Sequence, residues 1–101
     1  MLRELVLASE AFDDLRSAYR WYEERRSGLG LAFEHAIEAA MSRIQRSPDG
    51  HPEVAAPFRR AIVRRFPFDL YYTFDDRQVV VVLIFHTARD PATILRRLGK
   101  H

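Results

Sequence analysis

Apolar positions along this chain recur every three or four residues in its first half and every second residue in much of its second half, which predicts helices followed by strands. Leu2 to Leu7 alternates loosely and reads as a short opening strand. Ser9 then stands where a helix N-cap belongs, followed by Glu10, Asp13 and Asp14, whose carboxylates suit the positive end of a helix dipole. The stripe Phe12, Leu15, Tyr19 and Tyr22 predicts an amphipathic helix ending near Arg26. Ser27-Gly28-Leu29-Gly30 offers two glycines able to take positive φ in a tight connection. Phe33, Ile37, Ala40, Met41 and Ile44 mark the buried face of a second helix, with Arg43 and Arg46 in its last turn and a stop at Ser47-Pro48. So short a link predicts an antiparallel helical hairpin.

Asp49 to Pro57, with Gly50, Pro52 and Pro57, reads as a loop. Three strands are then expected at Phe58–Arg65, Phe68–Phe74 and Gln78–His86, joined by short turns into an antiparallel meander. In the middle strand Phe68, Leu70, Tyr72 and Phe74 share one face, which should meet the helices, while Asp69, Tyr71 and Thr73 share the other. Val79 to Phe85 is apolar on both faces, so this strand is covered on two sides or lies under the C-terminal tail. The expected fold is α+β: an N-terminal strand, a two-helix hairpin and a three-stranded meander, in one domain spanning residues 1–101.

A chain of 101 residues that is 48% hydrophobic can fill one small core. With no cysteine it has no disulfide or thiolate site, and His35, His51, His86 and His101 show no ligand spacing, so no metal or cofactor is expected. No segment suits a secretion signal or a membrane span, which makes the cytoplasm the expected location. The net charge of +2 conceals an imbalance: residues 1–57 carry seven arginines against ten acids, whereas residues 58–101 carry nine basic residues against four. A basic second half favours an anionic partner there.

The densest cluster of candidate contact residues is Arg59, Arg60, Arg64 and Arg65 with Tyr71, on the first two strands of the meander. Arginines on a strand either discourage edge pairing or form a binding surface, and four beside a tyrosine exceed what edge protection needs. His86 and Arg89 emerge together after the last strand; an imidazole and a guanidinium can help cleave RNA, or simply end a strand with local hydrogen bonds. Trp21 lies beside the stripe of the first helix, where it either closes the core boundary or, if exposed, marks a partner surface.

Taken in order, Ala11 to Leu15, Tyr19 to Glu24, Gly28-Leu29-Gly30 with Phe33, Ile44 to Pro48, Arg59-Arg60, Arg65-Phe66-Pro67-Phe68, Tyr71-Tyr72 and His86-x-x-Arg89-Asp90-Pro91 resemble the RelE/ParE toxin superfamily of bacterial toxin–antitoxin pairs. Gly-Leu-Gly and Arg-Phe-Pro-Phe are most similar to its ParE-like branch, the plasmid-stabilisation type. The resemblance implies one of two actions: RelE-like members cut messenger RNA on the ribosome, whereas ParE-like members poison DNA gyrase by binding it. For cleavage the matching residues are Arg60, His86 and Arg89, but Asp69 stands where an arginine is common and Thr93-Ile94-Leu95 lacks the terminal aromatic. The implied partner is an antitoxin whose acidic, partly disordered segment folds onto the toxin, meeting the meander and the tail arginines Arg96 and Arg97. Three readings follow: a gyrase-binding toxin, a ribosome-dependent mRNA interferase, or an inactive remnant that only binds its partner.

Overall fold

The computed structural model describes residues 2–88 and 90–101. Its elements are β1 (Glu4–Leu7), α1 (Ser9–Arg25), α2 (Leu29–Arg46), a 3-10 turn (Pro48–Gly50), β2 (Glu53–Ala55), β3 (Phe58–Ile62), β4 (Phe68–Phe74), β5 (Gln78–His86) and α3 (Pro91–Leu98). The strands form one sheet in the order β1-β5-β4-β3-β2. The expected meander is there, and β1 joins it parallel to β5, with Glu4 opposite Gln78 and Leu7 opposite Val81. Parallel neighbours need a long connection, and the helical hairpin lies within it.

The hairpin covers one face of the sheet. Phe33, Ile37, Ala40 and Ile44 of α2 meet Leu70 and Tyr72 of β4 and Val79, Val81 and Ile84 of β5. At one end of this core the rings of Tyr22, Phe33, Phe66 and Phe68 interlock, with Phe33 and Phe68 centroids 4.9 Å apart. The stripe of α1 is not the one the large side chains suggest. Ala11 and Ala18 are buried, with Leu15 and Tyr22 packed beside them, while Phe12 is 48% exposed. Small side chains allow α1 to approach its neighbours closely, so the helix turns its alanines inward.

The hairpin link also differs in detail. Gly28 takes φ +90°, whereas Gly30 lies within α2, where an added Cβ would come within 3.0 Å of the Tyr19 carbonyl. Only Gly28 serves the turn, and Gly30 permits the close helix crossing. The Glu23 carboxylate accepts hydrogen bonds from the N–H groups of Gly28 and Gly30, at 3.1 and 3.0 Å, where the start of α2 leaves donors unpaired. Ser9 is the first helical residue rather than the cap, because Ala8 is held extended by its N–H bond to the Val81 carbonyl.

The opposite face carries a second core of Phe58, Tyr71, Val82, Leu83 and Phe85, closed by Leu98 and Ile94 of α3. This explains why β5 is apolar on both sides: the C-terminal tail does cover its second face, and it does so as a helix. Asp90 caps α3 by accepting from the Ala92 N–H at 3.1 Å, and Pro91 occupies its first turn. Burying Leu98 contributes roughly 1.5–3 kcal/mol toward holding α3 down. A bulge lets β5 serve both cores: Tyr71 lies opposite Leu83 but Tyr72 lies opposite Val81, so Val82 is an extra residue. Val82 and Leu83 consequently face the same core.

Two boundaries are corrected. The expected loop contains the short strand β2, paired irregularly to β3 through Glu53–Arg59 and Ala55–Phe58. The first strand of the meander ends at Ile62 rather than Arg65, because Arg65 takes φ +76° and the chain turns over at 63–67.

Candidate functional site

The two faces of the sheet sort the candidate residues. Arg60 lies directly opposite Tyr71, and Ile62 opposite Asp69, so these four side chains share the face away from the helical hairpin. Asp69 is only 8% exposed, and burial raises its carboxyl pKa against the pull of the Arg60 guanidinium. Burial also raises the Tyr71 hydroxyl pKa, the Asp69 charge pushes it further, and Arg60 opposes both. Arg60 Nε is itself buried without a hydrogen-bond partner. Arg60 is therefore a half-buried cation set against an internal carboxylate, not a guanidinium standing free over the strand.

His86 lies on the other face. It pairs across the ladder with Phe68, whose ring is 5.2 Å from the imidazole and belongs to the hairpin-side core. Its Nδ1 accepts a hydrogen bond from the Ala88 N–H at 3.0 Å, which in the neutral ring leaves the proton on Nε2. The sheet thus separates Arg60 from His86. Arg89, the third residue of the cleavage set, lies outside the described residues.

The remaining arginines divide by their commitments. Arg59 binds the carbonyls of His51 and Asp49 at 2.6 and 3.3 Å and approaches Glu53 at 3.7 Å, tying the 3-10 turn and β2 to β3. Arg97 donates to Glu10 and Asp14 at 3.1 and 3.0 Å, fastening α3 to α1. Arg64 and Arg65 stand exposed on the bend between β3 and β4. Arg96 is exposed on α3, its Nη2 3.2 Å from Thr93 Oγ1.

Glu10 and Asp14 escaped the sequence reading as anything but first-turn acids. They stand one helical turn apart on α1, a spacing that places two carboxylates side by side and calls for a cation. Asp14 does more than pair. Its Oδ2 accepts the Ile84 N–H at 3.1 Å, capping β5 beyond the end of β1. Burial raises its pKa despite the Arg97 hydrogen bonds, whereas more exposed Glu10 is lowered chiefly by its bond from Arg97.

Beside Asp14 a groove of about 450 Å³ runs between α1 and the end of β5, lined by Trp21, Tyr22, Phe68, Ile84 and His86. Trp21 is 51% exposed at its rim, with the Arg25 guanidinium 3.4 Å from its ring centroid. The tryptophan stands outside the core rather than closing its boundary. Among the described residues no group of three or more acidic or histidine side chains could hold a metal ion, and no helix is long and apolar enough to cross a membrane.

The sequence profile described as "ParE toxin of type II toxin-antitoxin system, parDE" matches residues 5–91. The chain belongs to the ParE toxin family. Two solved structures share its fold. A chain of the chromosomal ParDE toxin–antitoxin system from P. aeruginosa superposes with a TM-score of 0.74 at 18% identity, covering 84% of this chain and 96% of that one. A chain of the RelBE2 toxin–antitoxin complex from Mycobacterium tuberculosis gives 0.62 at 19% identity, covering 88% and 95%. No curated protein sequence matches. Within the RelE/ParE superfamily this ParE-type chain keeps the strand, hairpin and open sheet of its relatives. It is a toxin of the type II toxin–antitoxin class.

Proposed function

We propose that this ParE-type toxin arrests growth by binding DNA gyrase, without cutting RNA, and that an acidic segment of a cognate antitoxin silences it. The observation that carries the binding reading is the separation of Arg60 and His86 across the sheet. A phosphate held by one is out of reach of the other, and acid–base catalysis needs its groups within hydrogen-bond distance of the same reacting atoms. The Asp69 carboxylate beside Arg60 opposes a phosphate there as well. Match to a ParE profile supports gyrase as the target.

An antitoxin partner is supported by the family description and by the two structural relatives, each described as part of a toxin–antitoxin system. Exposed Arg65 and Arg96 offer charge to an acidic peptide, and the groove beside Trp21 offers apolar surface. Such a pair acts in the cytoplasm, where gyrase and its DNA are.

The test is a supercoiling reaction with purified gyrase titrated with the toxin. Inhibition that the antitoxin reverses is expected. Unchanged supercoiling at saturating toxin overturns the gyrase reading, and transcripts cut within ribosomes during arrest favour the RelE-type alternative.

A further inference from the structure

The end of α2 and the bend between β3 and β4 bring together cations that lie far apart in the sequence. Arg43 and Arg46 occupy the last turn of α2. Arg43 reaches across to β3, its Nη2 donating to the Ile62 carbonyl at 2.6 Å, which sets it beside the bend that carries Arg64. Burial and then repulsion from Arg64 and Arg46 lower the Arg43 pKa. On the flank, burial followed by repulsion from Arg43 and Arg59 lowers that of His51. The ion pairs among the described residues belong to Arg59, Arg97 and His101, and none involves Arg43, Arg46 or Arg64.

Like charges gathered with no carboxylate paired to them are favoured once an anion is bound. The surroundings narrow the choice of anion. Of the large exposed apolar side chains of the described residues, none lies in the last turn of α2 or on the bend at 63–67: Phe12 and Trp21 are on α1, Leu31 is at the opposite end of α2, Leu2 precedes β1, Val54 is on β2, Leu95 is on α3, and Ile62 turns with Asp69 to the far face. Protein interfaces are built around an apolar, aromatic centre, whereas a phosphate backbone needs only charge and forked donors.

We propose that Arg43, Arg46 and Arg64 form a docking site for the phosphate backbone of duplex DNA, distinct from the groove beside Trp21. The site lets the toxin engage DNA alongside a DNA-bound target, and it rests on the gyrase reading only for that setting.

Fluorescence anisotropy of a labelled DNA duplex with the purified chain tests it. Three phosphate contacts give a slope of log affinity against log salt of about −2.7, a loss of roughly 40-fold between about 50 and 200 mM salt. Arg46→Gln combined with Arg64→Gln removes two exposed side chains and flattens the slope to about −0.9 with an unchanged circular dichroism spectrum. Lys100→Gln, an exposed charge beyond α3, leaves the slope intact. Absence of DNA binding by the natural chain overturns the proposal. So does a double variant with the full slope. No gyrase is present in this assay, so its result and that of the supercoiling reaction fail independently.

Discussion

Arg97 Nη2 lies 3.0 Å from Asp14 Oδ2, joining the last helix to the first across 83 positions of chain. The same carboxylate caps the Ile84 N–H, so one acid ties α1, α3 and β5 together. Replacing the guanidinium leaves two carboxylates facing each other at a partly buried site. Arg97→Met is expected to cost about 1.5–3 kcal/mol, measured by urea denaturation.

The two acids respond to pH in opposite senses. Asp14 has a folded pKa above its ordinary 3.8, so its contribution is largest below that value and declines as pH rises through the folded pKa. Glu10 has a folded pKa below its ordinary 4.5, so its contribution is present above that value and is lost as pH falls through the folded pKa. Carboxyl titration by NMR should find the two displaced in these directions, and Arg97→Met should move both upward.

Tyr72 is fully buried and its hydroxyl donates to the Pro48 carbonyl at 2.5 Å. Tyr72→Phe should cost about 0.5–1.5 kcal/mol near neutral pH. Burial pushes the phenol up to about 12, against an ordinary 10.0. The contribution of a group raised in this way is whole below pH 10.0 and lost as pH climbs toward about 12. The natural chain should therefore lose stability over that window, and the phenylalanine variant should lose less; denaturation at graded alkaline pH measures the difference.

Gly30→Ala and Gly28→Ala separate two uses of glycine. At Gly30 the new methyl meets the Tyr19 carbonyl at 3.0 Å, and a backbone atom must shift, at a cost of about 1–3 kcal/mol. At Gly28 space is open and the cost is the positive φ alone, about 1–2 kcal/mol. Gly28→Asn should recover part of the second loss, while Gly30→Asn should deepen the first; thermal melts of the four variants decide it.

Trp21 is the chain's only tryptophan, so its emission reports directly on the groove. Antitoxin binding should shift that emission to the blue, and Trp21→Ala should weaken the complex by about 2 kcal/mol or more if the indole anchors the interface. A titration with no spectral change places the antitoxin elsewhere.

Much of the architecture was legible because periodicity reports burial. Phe33 to Ile44 and Phe68 to Phe74 face where their spacing says, and the two-sided apolar run at Val79 to Phe85 did signal a second covering layer. The failures have physical causes. Phe12 outranks Ala11 in hydrophobicity, but a closely packed helix needs the smaller side chain inward. Glu53 to Ala55 is short, largely exposed and irregularly paired, so no alternation betrayed β2. The helix after His86 announced itself only through Asp90-Pro91 and the spacing of Ile94 and Leu98. Of the candidate site, the residue types were readable but not their sides: Arg60 and His86 part company only through strand pairing, and the partners of Arg59 and Arg97 come from elements distant in the chain.

The bulge at Val82 has a consequence for how this lineage can change. Residues 79–82 are all valine, and one of them is surplus to the pairing with β4. Losing a single codon there regularises the strand instead of inverting it, so the flanks keep their sides while the perch beneath α3 narrows by one side chain. Few strands this buried tolerate a change of length, and here the tolerance is confined to the segment on which the C-terminal helix sits.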